Sequence, residues 1–204
     1  MCGQCGLILE RPGPVGHLLR VMEGAMLHRG PDSTGFALYG EEPHEQRIVV
    51  RARIDDGAGA DRVLAQVADR VTSAHGQVTG EPDIRLGLGG DAAFCRLLVS
   101  FDGPPAVLLA AIEGVEGVYV HSMGRRLEII KDVGTAEEVA ARHGVDQFIG
   151  THGLAHSRLA TEEQALRQVF DSELITNYVR EGAVTVWDAV LTGRTAVGAH
   201  SEAQ

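Results

Sequence analysis

The feature that most restricts the fold of this 204-residue chain is an ordered run of strand-like and helix-like segments over residues 47–123. In its first segment, Val49–Ile54, successive residues alternate between two faces as on a half-buried strand. The later segments are a helix face marked by Val63, Val67 and Val71, strands at Ile84–Leu88 and Phe94–Phe101, a helix at Pro104–Ile112 and a strand at Val118–His121.

The order strand, helix, strand, strand, helix, strand is that of the split βαβ plait, which is a self-contained unit. We therefore predict a plait-like βαββαβ insertion at residues 47–123 within a larger domain formed by residues 1–46 and 124–204. Cys95 alternates into an apolar strand of the insertion, where a cysteine usually fills the core. No catalytic signature falls inside the insertion.

The flanking segments also predict a mixture of helices and strands. A capping box, Thr135-Ala-Glu-Glu, opens one helix, and Asp171 is suited to cap another. The predicted elements are a strand at Leu7–Glu10, a helix from Pro14 to Leu27, strands at Phe36–Tyr39, Leu127–Asp132 and Gly150–Ala155, and helices at Thr135–Ala141, Asp171–Arg180 and around Trp187. These elements predict an α+β fold.

An apolar share of 44% and a formal charge of −10 are typical of a folded protein that repels phosphate backbones and anionic lipid. We therefore predict no nucleic-acid partner. The longest apolar stretch, within Pro104–Ile112, is far shorter than the ~20 residues of a spanning helix, so we predict no membrane partner. The N-terminus lacks the basic and apolar regions of a secretory signal, which predicts a cytoplasmic protein with reduced cysteines.

Cys2 directly follows the initiator methionine. Removal of Met1 leaves a thiol and a free α-amine on one residue, and an amine with a pKa near ~7.7–8.0 is an effective base at neutral pH. Taken alone, this position of Cys2 can also be incidental. Cys2 and Cys5 form a C-x-x-C pair, which is found in redox and zinc sites. No further ligand pattern accompanies the pair, so we predict neither a metal nor a cofactor.

Two further motifs contain residue types that bind or brace charged groups. The run His28-Arg-Gly-Pro-Asp-Ser-Thr-Gly35 fixes a tight turn, in which Arg29 and Asp32 are close enough to pair. The run Thr151-His-Gly-Leu-Ala-His-Ser-Arg-Leu-Ala-Thr161 ends a predicted strand with Arg158, whose planar guanidinium is suited to bind a carboxylate. Each motif alone is compatible with an ordinary loop or a surface ion pair.

Together these runs resemble the class II glutamine amidotransferases of the N-terminal nucleophile (Ntn) hydrolase superfamily. The resemblance rests on Met-Cys-Gly at the start, Arg-Gly-Pro-Asp-Ser-x-Gly after the first helix, Gly-x-x-His-x-Arg-x-Ala-Thr near Arg158, and Asp171-Ser-Glu. The run Arg126–Gly134 and the plait-like insertion look closest to the amidotransferase subunit of glutamate-synthase-like enzymes, including N-methylglutamate synthase. The resemblance implies an αββα sandwich of two antiparallel sheets between helical layers.

The resemblance also implies a role for each site residue. Cys2 would attack the amide of L-glutamine, giving a glutamyl thioester and ammonia. Arg158 and Thr161 would hold the glutamine α-carboxylate, and Asp171 would hold its α-ammonium. Arg29 and Asp32 would support the turn beside the nucleophile. A synthase subunit would receive the ammonia, in a homo- or hetero-oligomer, because the chain has no P-loop or dinucleotide fingerprint with which to activate an acceptor.

One segment departs from the family pattern. Relatives have a His-Pro-Phe segment and an Asn-Gly strand end, which builds the oxyanion hole, between the regions of Thr161 and Asp171. Here nine residues separate these positions, and the chain contains no Asn-Gly. We therefore expect an incomplete domain, either because an internal piece is lacking or because the chain is a degraded homologue. The alternative function is a non-catalytic binding or assembly subunit.

Overall fold

A computed structural model describes residues 2–30, 32–40 and 47–158, and only the backbone of Cys2. Over these residues the fold is α+β, with four α-helices and two four-stranded antiparallel sheets. This confirms the predicted α+β class, while the αββα sandwich stays a prediction, because one of the two antiparallel sheets is formed by residues 47–124. The helices predicted at Asp171–Arg180 and around Trp187 lie outside the described residues. In the part of the chain that is described, no helix is long and apolar enough to cross a membrane.

The strands are β1 (Cys2–Gly13), β2 (Ser33–Gly40), β3 (Arg47–Ile54), β4 (Gln77–Leu86), β5 (Ala93–Ser100), β6 (Val118–Gly124), β7 (Leu127–Val133) and β8 (Gly150–Arg158). The helices are α1 (Val15–Gly24), α2 (Ala60–Ser73), α3 (Pro105–Glu113) and α4 (Ala136–His143). Short 3₁₀ helices occur at Leu27–Arg29 and Val145–Gln147. Each strand and helix predicted within the described residues is present, although several of the boundaries differ.

Sheet I has the strand order β1-β8-β2-β7 and is formed by the segments on either side of residues 47–123. Along β1 the even positions from Gln4 to Glu10 are exposed, while the odd ones face the core, as the two-residue period of a strand requires. Helices α1 and α4 pack against one face of the sheet. The core on that face contains Val15, Leu19, Phe36, Leu38, Ile130, Ala136, Val139, Ala140, Val145 and Ala155.

The first helix is shorter than predicted. The pattern predicted one helix from Pro14 to Leu27, whereas α1 ends at Gly24 and a separate 3₁₀ turn begins at Leu27. Backbone bonds from Met26 N to Glu23 O (2.9 Å) and from Arg29 N to Met26 O (2.8 Å) span three residues rather than four. This tightening turns the chain back over the end of sheet I.

Sheet II is formed by the strands of residues 47–124, in the order β4-β5-β3-β6. Helices α2 and α3 pack on this sheet and form with it a core that is separate from the core of sheet I. This core includes Val50 and Val99 of the sheet, Val67 of α2, and Leu108 and Ile112 of α3. The predicted order of helices and strands is therefore found. Cys95 lies in this core, 2% exposed, and burial raises the pKa of its thiol to about 11.

Strand β4 begins at Gln77, well before the predicted start at Ile84. Gly80, with φ +74°, and Pro82 break the alternation in its first half, and pairing with β5 shifts between Thr79 and Asp83. β4 is an edge strand, and a bulge with a proline is a common way to keep such an edge from pairing with other chains. Tertiary pairing therefore extends this strand through residues that favour turns.

Helix α4 begins as its capping box predicts. Glu138 N donates to Thr135 Oγ1 (3.3 Å), and Thr135 N donates to Glu138 Oε2 (2.8 Å). The helix ends at Gly144, whose left-handed φ of +68° is suited to glycine. Both ends of this helix are thus encoded locally.

The two sheets are joined at Glu128, a buried residue of β7 in sheet I. Its carboxylate accepts hydrogen bonds from Arg51 Nε of β3 (2.7 Å) and from Arg96 Nε and Nη2 of β5 (both 2.9 Å). Burial alone would raise the pKa of Glu128, but the hydrogen bonds and charges of Arg96 and Arg51 outweigh it and lower that pKa. A paired acid thus fixes sheet II to sheet I.

We predict that Glu128→Gln lowers the free energy of unfolding at pH 7 by roughly 2–4 kcal/mol, because two arginines lose their counter-charge. Arg96 is partly exposed, which keeps the effect near the lower end of the range for buried pairs. A lowered pKa in the folded state gives stability that is present above pH ~4.3 and lost as pH falls through the folded value.

Urea unfolding at pH 7 and pH 2.5 checks this prediction. Wild type and Glu128→Gln should differ at pH 7, and the difference should be smaller at pH 2.5. Glu81→Gln, at an exposed position of β4, is the control and should match wild type at both values. An equal difference at both pH values would contradict the role assigned to the charge of Glu128.

Candidate active site

The backbones of Cys2 and Arg158 meet at one end of sheet I. Cys2 pairs with Arg158 in the antiparallel β1–β8 register, and Ser33 of β2 pairs with Arg158 on its other side. Directly opposed residues of an antiparallel pair have Cα atoms about 4.5–5.5 Å apart. Two of the predicted site residues are therefore neighbours, although they come from opposite ends of the described chain.

The turn predicted from residues 28–35 folds over this end of the sheet. Gly30 is buried against Arg158, and a Cβ at Gly30 would lie 2.5–2.6 Å from the backbone atoms of Arg158. Asp32 N donates to Arg158 O (3.1 Å), and Gly134 N donates to Asp32 O (2.8 Å). Residue 30 is thus a glycine because the turn contacts the strand end directly. The side chain of Arg29 is exposed, and the supporting roles of Arg29 and Asp32 remain a prediction.

Strand β7 and helix α4 are held together beside this turn by an ion-pair network. Asp132 accepts from Arg142 and pairs with His143 Nε2 (2.9 Å), and its second oxygen accepts from Val133 N (2.7 Å). Burial would raise the pKa of Asp132, but these hydrogen bonds and the Arg142 charge lower it. Thr34 Oγ1 of β2 donates to Gly134 O (2.9 Å), so the network is continuous with the strand next to Arg158.

A buried polar cluster lies beneath Gly3, on the face of β1 that packs against α1. A Cβ at Gly3 would be 2.9 Å from Ser157 Oγ and 3.1 Å from Glu23 Oε1. Glu23 and Ser157 are 1% and 2% exposed. Within the described residues, neither Glu23 Oε1 nor Ser157 Oγ has a hydrogen-bond partner. We refer to Glu23, Ser157 and Cys5 as the Gly3 cluster.

Sequence reasoning missed Glu23 and Ser157. Glu23 occupies a core position four residues after Leu19 on the apolar face of α1. A carboxylate at such a position is the signal that could have identified it, because buried acids are rare without a partner.

Cys5 belongs to the Gly3 cluster and is not available for redox or zinc chemistry with Cys2. Its Sγ donates to Glu23 Oε2 (3.2 Å), and burial together with the Glu23 hydrogen bond and charge raises its pKa to about 12. Residues three apart on one strand are about 10 Å apart, beyond the Cα separation of a disulfide. No group of three His, Cys, Asp or Glu side chains that could hold a metal occurs among the residues the structure describes.

The other predicted substrate-binding residues, Thr161 and Asp171, lie outside the described residues. Among the predicted site residues, the structure therefore brings together the backbone of Cys2, Arg158, and the turn that contains Arg29 and Asp32. This arrangement places the backbone of Cys2, a guanidinium on a strand end and a turn at one rim of the sheet.

Two curated proteins are similar to this chain. GlxB of Rhizobium meliloti, named as a glutamine amidotransferase-like protein, is 33% identical over 168 residues, covering 79% of this chain and 51% of GlxB. A provisionally named glutamine amidotransferase of Methanothermobacter thermautotrophicus is 28% identical over 166 residues, covering 79% of this chain and 53% of that protein. The similarity supports a glutamine amidotransferase domain.

The chain spans about half the length of these curated relatives. No protein-family model matches it.

We predict that Gly3→Ala destabilises the fold by about 1–3 kcal/mol, because the added methyl group would overlap Ser157 Oγ and crowd Glu23 Oε1 in a packed site. Denaturant unfolding measures the change. Gly24→Ala is the matched control, since nothing lies within 4 Å of its added methyl group at the exposed end of α1. The control should be neutral or stabilising, and equal stability of wild type and Gly3→Ala would refute the close approach.

Proposed function

We propose that this chain is the glutaminase domain of a class II, Ntn-type glutamine amidotransferase, with Cys2 as the nucleophile. The observation that carries the proposal is the direct pairing of Cys2 with Arg158 at one end of sheet I. The pairing puts a cysteine at a chain start next to a guanidinium suited to a carboxylate. Similarity to two proteins named as glutamine amidotransferases or amidotransferase-like supports the same conclusion.

The proposed reaction begins after removal of Met1. The neutral α-amine of Cys2 takes the thiol proton, and the sulfur attacks the amide carbon of L-glutamine to form a tetrahedral intermediate. The intermediate collapses to the glutamyl thioester as the C–N bond breaks, and the protonated amine gives its proton to the leaving ammonia. Water then hydrolyses the thioester to glutamate and regenerates the thiol.

Substrate recognition is proposed to use the two charged groups of the free amino acid. Arg158 would bind the α-carboxylate with help from Thr161, and Asp171 would bind the α-ammonium. Opposite charges at the two ends of a site favour a free amino acid over a glutamine within a peptide, which lacks both charges. Arg29 and Asp32 would support the turn, whose backbone already contacts Arg158.

The proposed acceptor of the ammonia is a cytoplasmic synthase subunit of the glutamate-synthase-like type, in a homo- or hetero-oligomer. We also propose that residues 47–123 are a plait-like insertion in an αββα domain formed by residues 1–46 and 124–204. The separate sheet and separate core of the insertion support this division.

A non-catalytic binding or assembly subunit is the second candidate. The observation that favours it is the lack of an Asn-Gly segment in the nine residues between Thr161 and Asp171. The tetrahedral intermediate requires hydrogen-bond donors aimed at its oxyanion, whereas ground-state binding of glutamine requires mainly the charged contacts.

Labelling by a glutamine-mimicking electrophile tests the nucleophile. We predict that the reagent modifies Cys2 and spares Cys5 and Cys95, because their pKa values of about 12 and about 11 leave almost no thiolate at pH 7.5. Mass spectrometry of the digested protein locates the label. Cys2→Ala should abolish labelling and Cys5→Ser should preserve it, while a label found mainly on Cys5 would refute the assignment.

A glutaminase assay on the 204-residue chain tests the oxyanion argument. We predict ammonia release at least ~10²-fold slower than that of an intact relative, the effect of one lost oxyanion donor. Calorimetry should still detect binding of glutamine, which Arg158→Gln weakens. Insertion of an Asn-Gly-containing segment between Thr161 and Asp171 should restore turnover. Full activity of the unmodified chain, abolished by Cys2→Ala, would show that another group supplies the oxyanion hole.

A further inference from the structure

Glu23 presents a buried carboxylate with too few partners. The residue is 1% exposed, its Oε2 accepts from the Cys5 thiol, and its Oε1 has no partner among the described residues. The Cys5 thiol is a weak donor, and isolation of a carboxylate in an apolar core is costly unless a cation or further donors compensate it. Glu23 Oε1 is therefore open to a cation or a further hydrogen-bond donor.

The position of Oε1 limits which cation can compensate it. Oε1 lies 3.1 Å from the point where a Gly3 Cβ would be, and Gly3 directly follows Cys2, which becomes the first residue if Met1 is removed. Ser157 Oγ, also unpartnered, lies 2.9 Å from the same point. Both unsatisfied oxygens are therefore next to the residue that follows Cys2.

The other charged groups near this end of sheet I are less well placed. Arg158 follows the buried Ser157 on β8, so strand alternation directs it to the opposite face of sheet I from Glu23. His28 and Arg29 are exposed on the 3₁₀ turn, and no ion pair joins either of them to Glu23 in the described part of the chain. Cys5, Asp32 and His156 are further titratable groups on the described strands and turn at this end of sheet I.

We propose that Glu23 is a positioning residue that holds the α-ammonium of Cys2, either directly or through one water shared with Ser157 Oγ. The contact between Glu23 and the amine does not depend on the proposed glutaminase function. Only the catalytic role of that contact rests on it. An opposite charge in a buried setting favours the protonated amine, so its pKa lies above the ordinary ~7.7–8.0. Glu23 then orients the group that exchanges protons with the Cys2 thiol and with the leaving ammonia.

The sign of the pH effect follows from this charge. Catalysis needs the neutral amine, so kcat/KM rises as pH increases through the pKa of the amine. Glu23→Gln removes the charge, lowers that pKa and moves the rising limb of the profile to lower pH. A purely structural role would lower the rate without moving the limb.

The decisive experiment measures the amine without using turnover. With the Cys2 thiol blocked as a mixed disulfide, so that it cannot take the acyl group first, an N-hydroxysuccinimide ester acylates the α-amine only in its neutral form. Mass spectrometry of the N-terminal peptide then gives the rate of α-amine modification as a function of pH. In the full-length wild-type chain we expect an amine pKa above 8. Glu23→Gln should accelerate modification at pH 7 about tenfold, the equivalent of one pKa unit.

Two further variants separate charge from packing. Ser157→Ala retains the carboxylate and should leave the amine pKa above 8. Glu10→Gln, at an exposed position of β1, is the charge control and should match wild type. If Glu23→Gln does not fold, the wild-type titration alone still decides. A wild-type amine pKa at or below 8, or retention of Met1, overturns the proposal.

The two proposals fail in different ways. A raised amine pKa that falls in Glu23→Gln, in a chain that releases no ammonia even after insertion of the Asn-Gly-containing segment, supports the role of Glu23 and refutes the glutaminase function. Ammonia release that depends on Cys2, with an amine pKa that does not change in Glu23→Gln, supports the glutaminase function and refutes the role of Glu23.

Discussion

The pairing of β1 with β8 determines the candidate site. It joins residues 2–8 to residues 152–158 as the edge pair of sheet I, with the whole of sheet II formed between them in the sequence. Without this pairing Cys2 and Arg158 would have no reason to meet, since no local motif contains both. Such long-range pairing forms slowly and depends on the rest of the sheet. The close contact of Gly30 with Arg158 and the bond from Asp32 N then fix the strand end.

A second constraint is the attachment of sheet II to sheet I. Consecutive strands β6 and β7 belong to different sheets, so the chain crosses between them at residues 125–126. Glu128 reaches back from β7 to Arg51 and Arg96, and Ile129 N donates to Ser122 Oγ (2.9 Å) beside it. Hydrogen bonds to charged, largely buried partners have strict directions. These hydrogen bonds therefore orient sheet II relative to β7. The short connection at residues 125–126 alone would leave sheet II free to pivot.

Periodicity in the sequence predicted the elements whose apolar pattern is strong, including the βαββαβ order and the capped helix α4. It failed where tertiary contacts override local preference. The start of β1 contains Gly3 and Gly6, which favour no strand, and pairing with β8 alone extends it to Cys2. Gly80 and Pro82 likewise favour no strand, so the sequence did not predict the first half of β4, which forms by pairing with β5. For the site, resemblance supplied the candidate residues, whose roles stay a prediction, and the meeting of Cys2 and Arg158 is a property of strand register that no spacing reveals.

The sequence pattern did not predict the Gly3 cluster, for a different reason. A glutamate at a core position of α1 contradicts the amphipathic pattern that predicted the helix, and pattern reasoning treats such a residue as noise. Folded proteins retain contradictions of this kind mainly where a site requires them. Here three departures from ordinary packing coincide: a buried carboxylate, a buried hydroxyl without a partner and a glycine that leaves room for both. Their coincidence one residue from Cys2 argues for a function at this end of sheet I, since an apolar side chain in place of Glu23 would fill this part of the core at lower cost.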